Sequence, residues 1–226
     1  RETVDIKAMT AREEDILTSA ALIKKGTVVD ELIRSCIMQK DANVADLLPG
    51  DRNALAISIR ITGYGADYNS NVDCKFCGHT NNKTFNLSEL GIKRLGADPV
   101  INGENLFEYV LPVSKKKVNF KLLTGLDEQK RDDSLSQTVR VLGETYSGIV
   151  TANLEHIIVS IDGITDKGKI KQFINVMPAF DSKSLRKYVA DIQPGIDMVV
   201  EFNCDNCAKR ADAILPINTN FFWPKV

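Results

Sequence analysis

No stretch of the 226-residue chain approaches the roughly 20 consecutive apolar residues of a membrane-spanning helix, and the opening RETVDIKAMT lacks the apolar run of a signal peptide. Charge of one sign is not in excess either: 29 Lys and Arg stand against 30 Asp and Glu, a net charge of -1. Nothing global therefore attracts a polyanion, and nucleic acid is not the default partner. There is no phosphate-loop pattern (GxxxxGK before Ser or Thr), no GxSxG nucleophile elbow and no HExxH. Internal repeats, low-complexity tracts and long linkers are missing as well. Five cysteines are few for a secreted disulfide scaffold of this length. What is present is a 43% hydrophobic fraction, enough for the core of one large domain or two small ones. The chain reads as a soluble, intracellular globular protein.

The first third reads as helical. Thr10-Ala-Arg-Glu13 has the form of a capping box, and Ile16, Leu17, Ala20, Ala21 and Ile23 follow at helical spacing up to Gly26. A second helix is expected over Val28 to Gln39, with Val29, Leu32, Ile33, Cys36 and Ile37 facing inward, which makes Cys36 a small buried apolar residue. Pro49-Gly50 reads as a stop and Asp51 as the N-cap of a helix through Ala54 to Ile61 that ends near Gly63 or Gly65. Strands are expected over Asp67 to Val72 and Lys83 to Leu87, and a short helix over Ser88 to Leu95. Leu106 to Leu111 and Lys117 to Leu123 read as a second hairpin, with Lys115, Lys116 and Lys117 at a solvated turn. Thr124 and Asp127 cap a helix over Leu126 to Leu142. Further helices are expected over Thr151 to Val159, Lys169 to Val176 and Ser182 to Ile192, with a turn at Asp162-Gly163 and Asp181 as the last cap. Strand, CxxC and strand return in QPGIDMVVEFNCDNCAKRADAILPI.

The sharpest chemical signal is the pair Cys74-Lys-Phe-Cys77 and Cys204-Asp-Asn-Cys207. A thioredoxin-like site needs one CxxC at a helix start, where the dipole lowers a thiol pKa. Both pairs here lie between strand-like segments, as zinc knuckles do, and two knuckles supply the four thiolates of a tetrahedral site. Between Cys77 and Cys204 lie 126 residues, far more than in a compact zinc module. Closing so long a loop costs only a few kcal/mol, because the entropy grows logarithmically, while structural zinc binding is worth on the order of 10 kcal/mol. The expectation is one shared structural Zn2+ on Cys74, Cys77, Cys204 and Cys207. Two disulfides, unpaired thiols and redox catalysis are the alternatives. With four cysteines available, His79 reads as a bystander of the knuckle, and His156 as an ordinary helix histidine. No residue stands out as catalytic.

The C-terminal NTNFFWPKV gathers Phe221, Phe222 and the only tryptophan, Trp223. Burying three aromatics is worth several kcal/mol, against the chain's own core or against another protein. Both fates are open, and the three are the candidate partner-binding residues.

The segments LLPGDRNALAISIRITGYGADYNSNVDCKFCGH, FEYVLPVSKKKVNFKLLTG, LEHIIVSIDGI, DSKSLRKYVADIQPGIDMVVEFNC and FFWP, in that order, resemble the baseplate hub subunit family of T-even-like contractile-tailed phages. The resemblance spans residues 10 to 224 and implies a non-enzymatic protein that helps build the central hub of a tail baseplate. It places the protein in the virion tail or, as a transient assembly factor, in the host cytoplasm. It implies hub, tail tube or tape-measure proteins, or further copies of the chain in a homo-oligomer, as partners; the balanced charge and the lack of a long apolar run argue against nucleic acid and a membrane span. The four cysteines match the family's paired-thiol pattern. The organisation expected is α+β. Residues 1–65 form a helical start, and 66–87 with 197–220 form paired knuckle hairpins in one zinc-ribbon-like unit. Residues 88–196 are an α+β insertion and 221–226 an aromatic tail, the whole forming one integrated domain. A nucleic-acid-binding zinc-ribbon protein and a thiol oxidoreductase are the competing readings.

Overall fold

The computed structural model describes residues 3–39, 41–142, 148–217 and 219–223. Three short helices, α1 (Ala11–Thr18), α2 (Ala20–Lys25) and α3 (Val28–Cys36), precede the longer α4 (Pro49–Tyr64). A hairpin of β1 (Asp67–Asp73) and β2 (Thr80–Asn86) leads to the two-residue β3 (Ile92–Lys93). Next come β4 (Phe107–Val110), β5 (Lys117–Phe120), α5 (Gly125–Leu142), α6 (Ile149–Ile157) and β6 (Ile158–Ile161). They are followed by α7 (Lys167–Val176), α8 (Ala179–Ile192), β7 (Gly195–Ile196), β8 (Val199–Asn203), β9 (Arg210–Ile214) and a 3-10 turn, Thr219–Phe222. The class is α+β, as expected. Two compact units are formed, one from residues 1–44, 50–93 and 195–226, the other from 45–49 and 94–194. Among the described residues no helix is long and apolar enough to cross a membrane.

In the first unit the capping box opens α1, with the Glu13 carboxylate accepting from the Thr10 N–H at 2.9 Å. Glu13 is fully buried and also accepts from Lys7 Nζ, Thr10 Oγ1 and Ser35 Oγ. Burial alone would raise its pKa, but these hydrogen bonds reverse the sign and hold the carboxyl well below the usual range. The single helix expected up to Gly26 breaks at Ser19. The Thr18 hydroxyl donates back to the Glu14 and Asp15 carbonyls, and Ser19 turns extended. Helix α3 ends at Cys36, short of Gln39, because Ile37 leaves to form a β-bridge with Ile6. Cys36 is core, and burial pushes its thiol up to about 11. Pro49 starts α4 instead of stopping the chain, since its missing N–H costs nothing in a first turn, and Asp51 therefore sits inside the helix and not at its cap. The helix expected over Ser88 to Leu95 is reduced to one 3-10 turn, Leu87–Glu89, because Ile92 and Lys93 pair with Ile196 and Gly195.

The C-terminal turn is held in this unit. Phe221 and Phe222 are fully buried, the Phe221 ring 5.0 Å from Tyr68 and 5.2 Å from Phe222. Arg60 of α4, 1% exposed, donates to the carbonyls of Phe221 (3.1 Å), Gly65 (2.7 Å) and Asp67 (3.1 Å). Assigning Phe221 and Phe222 to a partner is thereby corrected: their surface is already spent inside the fold. Trp223 keeps 38% of its surface in solvent.

The second unit is built on the antiparallel sheet β4-β5-β6. Its core joins Phe107, Leu111, Val118 and Phe120 to Leu154, Ile158 and Ile161, and to Ile170, Ile174 and Leu185 of α7 and α8. The helix expected through Val159 stops at Ile157. The β-branched run Ile158-Val-Ser-Ile161 instead pairs with β5, burying three of its four side chains. Thr124 and Asp127 cap α5 reciprocally, at 3.3 Å each way. Leu135 and Val139 of α5 are half-buried, and the side chain of Leu142 lies outside the described set. Asp162 and Gly163 form the expected turn, with φ of 47° and 81°. The turn lysines are held locally: Lys116 pairs with Asp162 at 2.8 Å and Lys117 with Glu108 at 2.5 Å. Asp181 is not the N-cap of α8, which starts at Ala179. Its buried carboxylate instead accepts from the Val113 and Ser114 N–H groups at 2.7 and 3.0 Å.

Candidate metal centre

Each CxxC lies in a turn between two antiparallel strands, Cys74 and Cys77 between β1 and β2, Cys204 and Cys207 between β8 and β9. The turns repeat each other bond for bond. Cys74 N–H donates to the His79 carbonyl at 2.9 Å and Gly78 N–H to Cys74 at 2.8 Å; Cys204 N–H donates to Lys209 at 3.0 Å and Ala208 N–H to Cys204 at 2.9 Å. Gly78 and Ala208 occupy the same left-handed position, at φ 71° and 57°. A side chain there costs about 1–2 kcal/mol, offset in part by the unfolded-state entropy of glycine. A Cβ on Gly78 would touch nothing within 4 Å, so only the backbone decides. Gly78→Ala is expected to lower stability by about 1 kcal/mol, and Ala208→Gly to raise it by up to about 1 kcal/mol, in denaturant titrations of the metal-bound protein.

The two hairpins pack through Val72, Phe202 and Ala211, with Phe85 and Ala213 at the margin. This brings together four sulfurs whose atoms all lie within 4.8 Å of one another, with Cys74 and Cys207 3.7 Å apart and Cys77 and Cys204 3.6 Å apart. A tetrahedron of sulfurs about 2.3 Å from a zinc ion has edges of about 3.8 Å. The donor set fits a tetrahedral thiolate-preferring ion. Cys74 and Cys204 are buried, Cys207 half-buried and Cys77 exposed, so such an ion would be dry on one side and reachable from the other.

Backbone amides already favour thiolates here. The Cys207 N–H leads in lowering the Cys204 thiol to about 6, and the His79 N–H leads in lowering Cys77. Cys207 also gains a backbone donor, from Lys209, yet burial and its three thiol neighbours carry it up to about 11. Four sulfurs this close cannot all ionise without a cation among them. His79 is exposed and contributes its carbonyl to the turn, while the candidate ligand set consists of the four cysteines. His156 is half-buried in α6, where burial leads in lowering its pKa.

Several residues that join the hairpins carry no sequence signal. Asn81, 1% exposed, donates to the His79 carbonyl at 2.9 Å and accepts from the Asp205 N–H at 2.8 Å, tying the first knuckle to the second. Lys75–Asp212 at 2.6 Å and Lys83–Asp205 at 2.5 Å cross the same seam. Exposed pairs of this kind contribute roughly 0.2–1 kcal/mol each. Phe76, half exposed at the tip of the first knuckle, was equally silent in the sequence.

A family model described as T4 bacteriophage base plate protein matches residues 1–223. The chain belongs to this phage baseplate family, whose members work among other tail proteins. No curated protein and no solved structure matches it.

Proposed function

We propose that the protein is a non-enzymatic structural or assembly component of a phage tail baseplate hub, acting by protein–protein binding on a scaffold fastened by one structural Zn2+. The observation that carries the reading is the family match over nearly the whole chain. The four-sulfur cluster supports the zinc: Cys74, Cys77, Cys204 and Cys207 would hold the ion, which with four protein ligands would supply cross-linking and no reactive position. Neither CxxC opens a helix, so the dipole that activates a redox thiol is not part of this site. Hub, tail tube and tape-measure proteins, or further copies of the chain, are the partners proposed.

Trp223 is the part of the aromatic tail still open to a neighbour. The functional test is the fate of the protein in infection. Tail tips purified from phage carrying a tagged copy should contain the protein at fixed stoichiometry, or assembling baseplate intermediates should contain it transiently. Normal tails formed by a phage lacking the gene would overturn the reading.

A further inference from the structure

The two knuckles provide an internal comparison. In the turn that Cys204 and Cys207 close, the two middle residues are Asp205 and Asn206, both polar and exposed. The matching places in the first turn are Lys75 and Phe76, and Phe76 leaves 52% of its surface in solvent. The turn therefore has no structural need of an aromatic residue. Its ring is nevertheless held in place: Lys75 Nζ lies 5.5 Å from the ring centroid and Lys209 Nζ, from the other knuckle, 5.1 Å. Lys75, Lys83 and Arg210 are each paired with a carboxylate, whereas Lys209 has no carboxylate partner among the described residues.

We infer that Phe76, flanked by Lys75 and Lys209, is a docking anchor that enters an apolar pocket rimmed by carboxylates on another tail protein. An exposed aromatic is the residue type that dominates interface energies, and an ammonium beside it with no carboxylate partner among the described residues favours a carboxylate on the rim it meets. A nucleic-acid strand fits less well. Lys75, Lys83, Lys209 and Arg210 are balanced by Asp73, Glu201, Asp205 and Asp212, so the knuckles carry no excess of positive charge for a phosphate backbone. The inference rests on the proposed clamp, because the shared ion would fix the knuckle that carries Lys209 beside the one that carries Phe76.

The test uses the full-length protein with p-benzoylphenylalanine in place of Phe76, supplied in trans to a phage lacking the gene and irradiated during infection. The expected cross-link is to one other tail protein, at a segment where apolar residues adjoin Asp or Glu. Against that protein, purified Phe76→Ala and Lys209→Glu should bind about thirtyfold more weakly, with Lys209→Arg close to wild type. Metal content of each variant is measured alongside. Cross-linking to nucleic acid, to a second copy or to no tail protein overturns the anchor, as does wild-type binding by Phe76→Ala. If the anchor fails while the variants keep their ion, the clamp stands. If wild type itself holds no ion, the clamp has failed, separately from the cross-link result.

Discussion

Cys204→Ser is expected to strip the metal from the whole site and to loosen a hairpin that ends more than 100 residues earlier in the chain. In the proposed shared site each sulfur would be one corner of a single tetrahedron, so removing Cys204 would leave three ligands drawn from both knuckles. Structural zinc contributes on the order of 10 kcal/mol to the folding of small modules, and losing one thiolate forfeits a large part of it. What remains across the seam among the described residues includes the Val72, Phe202 and Ala211 contact with Phe85 and Ala213 at its margin, the Asn81 to Asp205 hydrogen bond, the Lys209 to Phe76 contact and two exposed ion pairs. We expect a loss of about 5 kcal/mol in the hairpin pair. Amide exchange reports it locally: the Gly78 N–H, bonded to Cys74 in the first turn, should exchange as fast as the Ala208 N–H in the second. Protection of Gly78 at its wild-type level in Cys204→Ser would show that the knuckles do not share an ion.

The second large effect is expected at Arg60. Its guanidinium is buried with three carbonyl oxygens and, among the described residues, no carboxylate partner, and burial leads in pushing its pKa below the ordinary value. Hydrogen bonds from a charged donor are worth about 1.5–3 kcal/mol each, less than additive when one group makes three. Arg60→Met keeps the bulk, relieves the buried charge, and leaves the carbonyls of Phe221, Gly65 and Asp67 without this donor. The net cost is about 3 kcal/mol, a drop in Tm of about 10 °C for a chain of this size. Arg60→Lys should do little better, because one ammonium cannot span three separated acceptors. Trp223, the only tryptophan, directly follows the turn that Arg60 holds, so its emission should shift toward the fully solvated wavelength in Arg60→Met. Unchanged emission and unchanged Tm would mean the C-terminal turn is fastened by its aromatic rings alone. Deleting the chain after Asn220 is a poorer test of partner docking than Trp223→Ala, since it also removes the buried Phe221 and Phe222.

The paired thiols were legible in the sequence because metal coordination demands a residue type at a spacing, and both survive any distance between the pairs. The turn at Asp162-Gly163 and the Thr124–Asp127 cap were legible for the same reason: the side chains that build them are local. Arg60 was not. In ISIRITGYG it reads as one more polar position on a helix, and only the return of residues 221 and 222 makes it the centre of a buried node. Asp181 reads as a cap, and Ile158 and Val159 as the end of a helix, for a similar reason: Val113 and Ser114, and the free edge of β5, compete for them from far along the chain. The same limit hid Lys209 beside Phe76, since the ring and the ammonium come from different knuckles.

The central claim is that one ion joins the two hairpins, and metal content measured on the purified protein, wild type and single cysteine variants, tests it most directly. Native mass spectrometry with elemental analysis should find one zinc per chain in the wild type and none in Cys74→Ser or Cys204→Ser. The cobalt-substituted wild type should show the visible absorption of a tetrahedral thiolate site. A wild-type chain without metal, or a Cys204→Ser variant that retains a full equivalent of zinc, would contradict it.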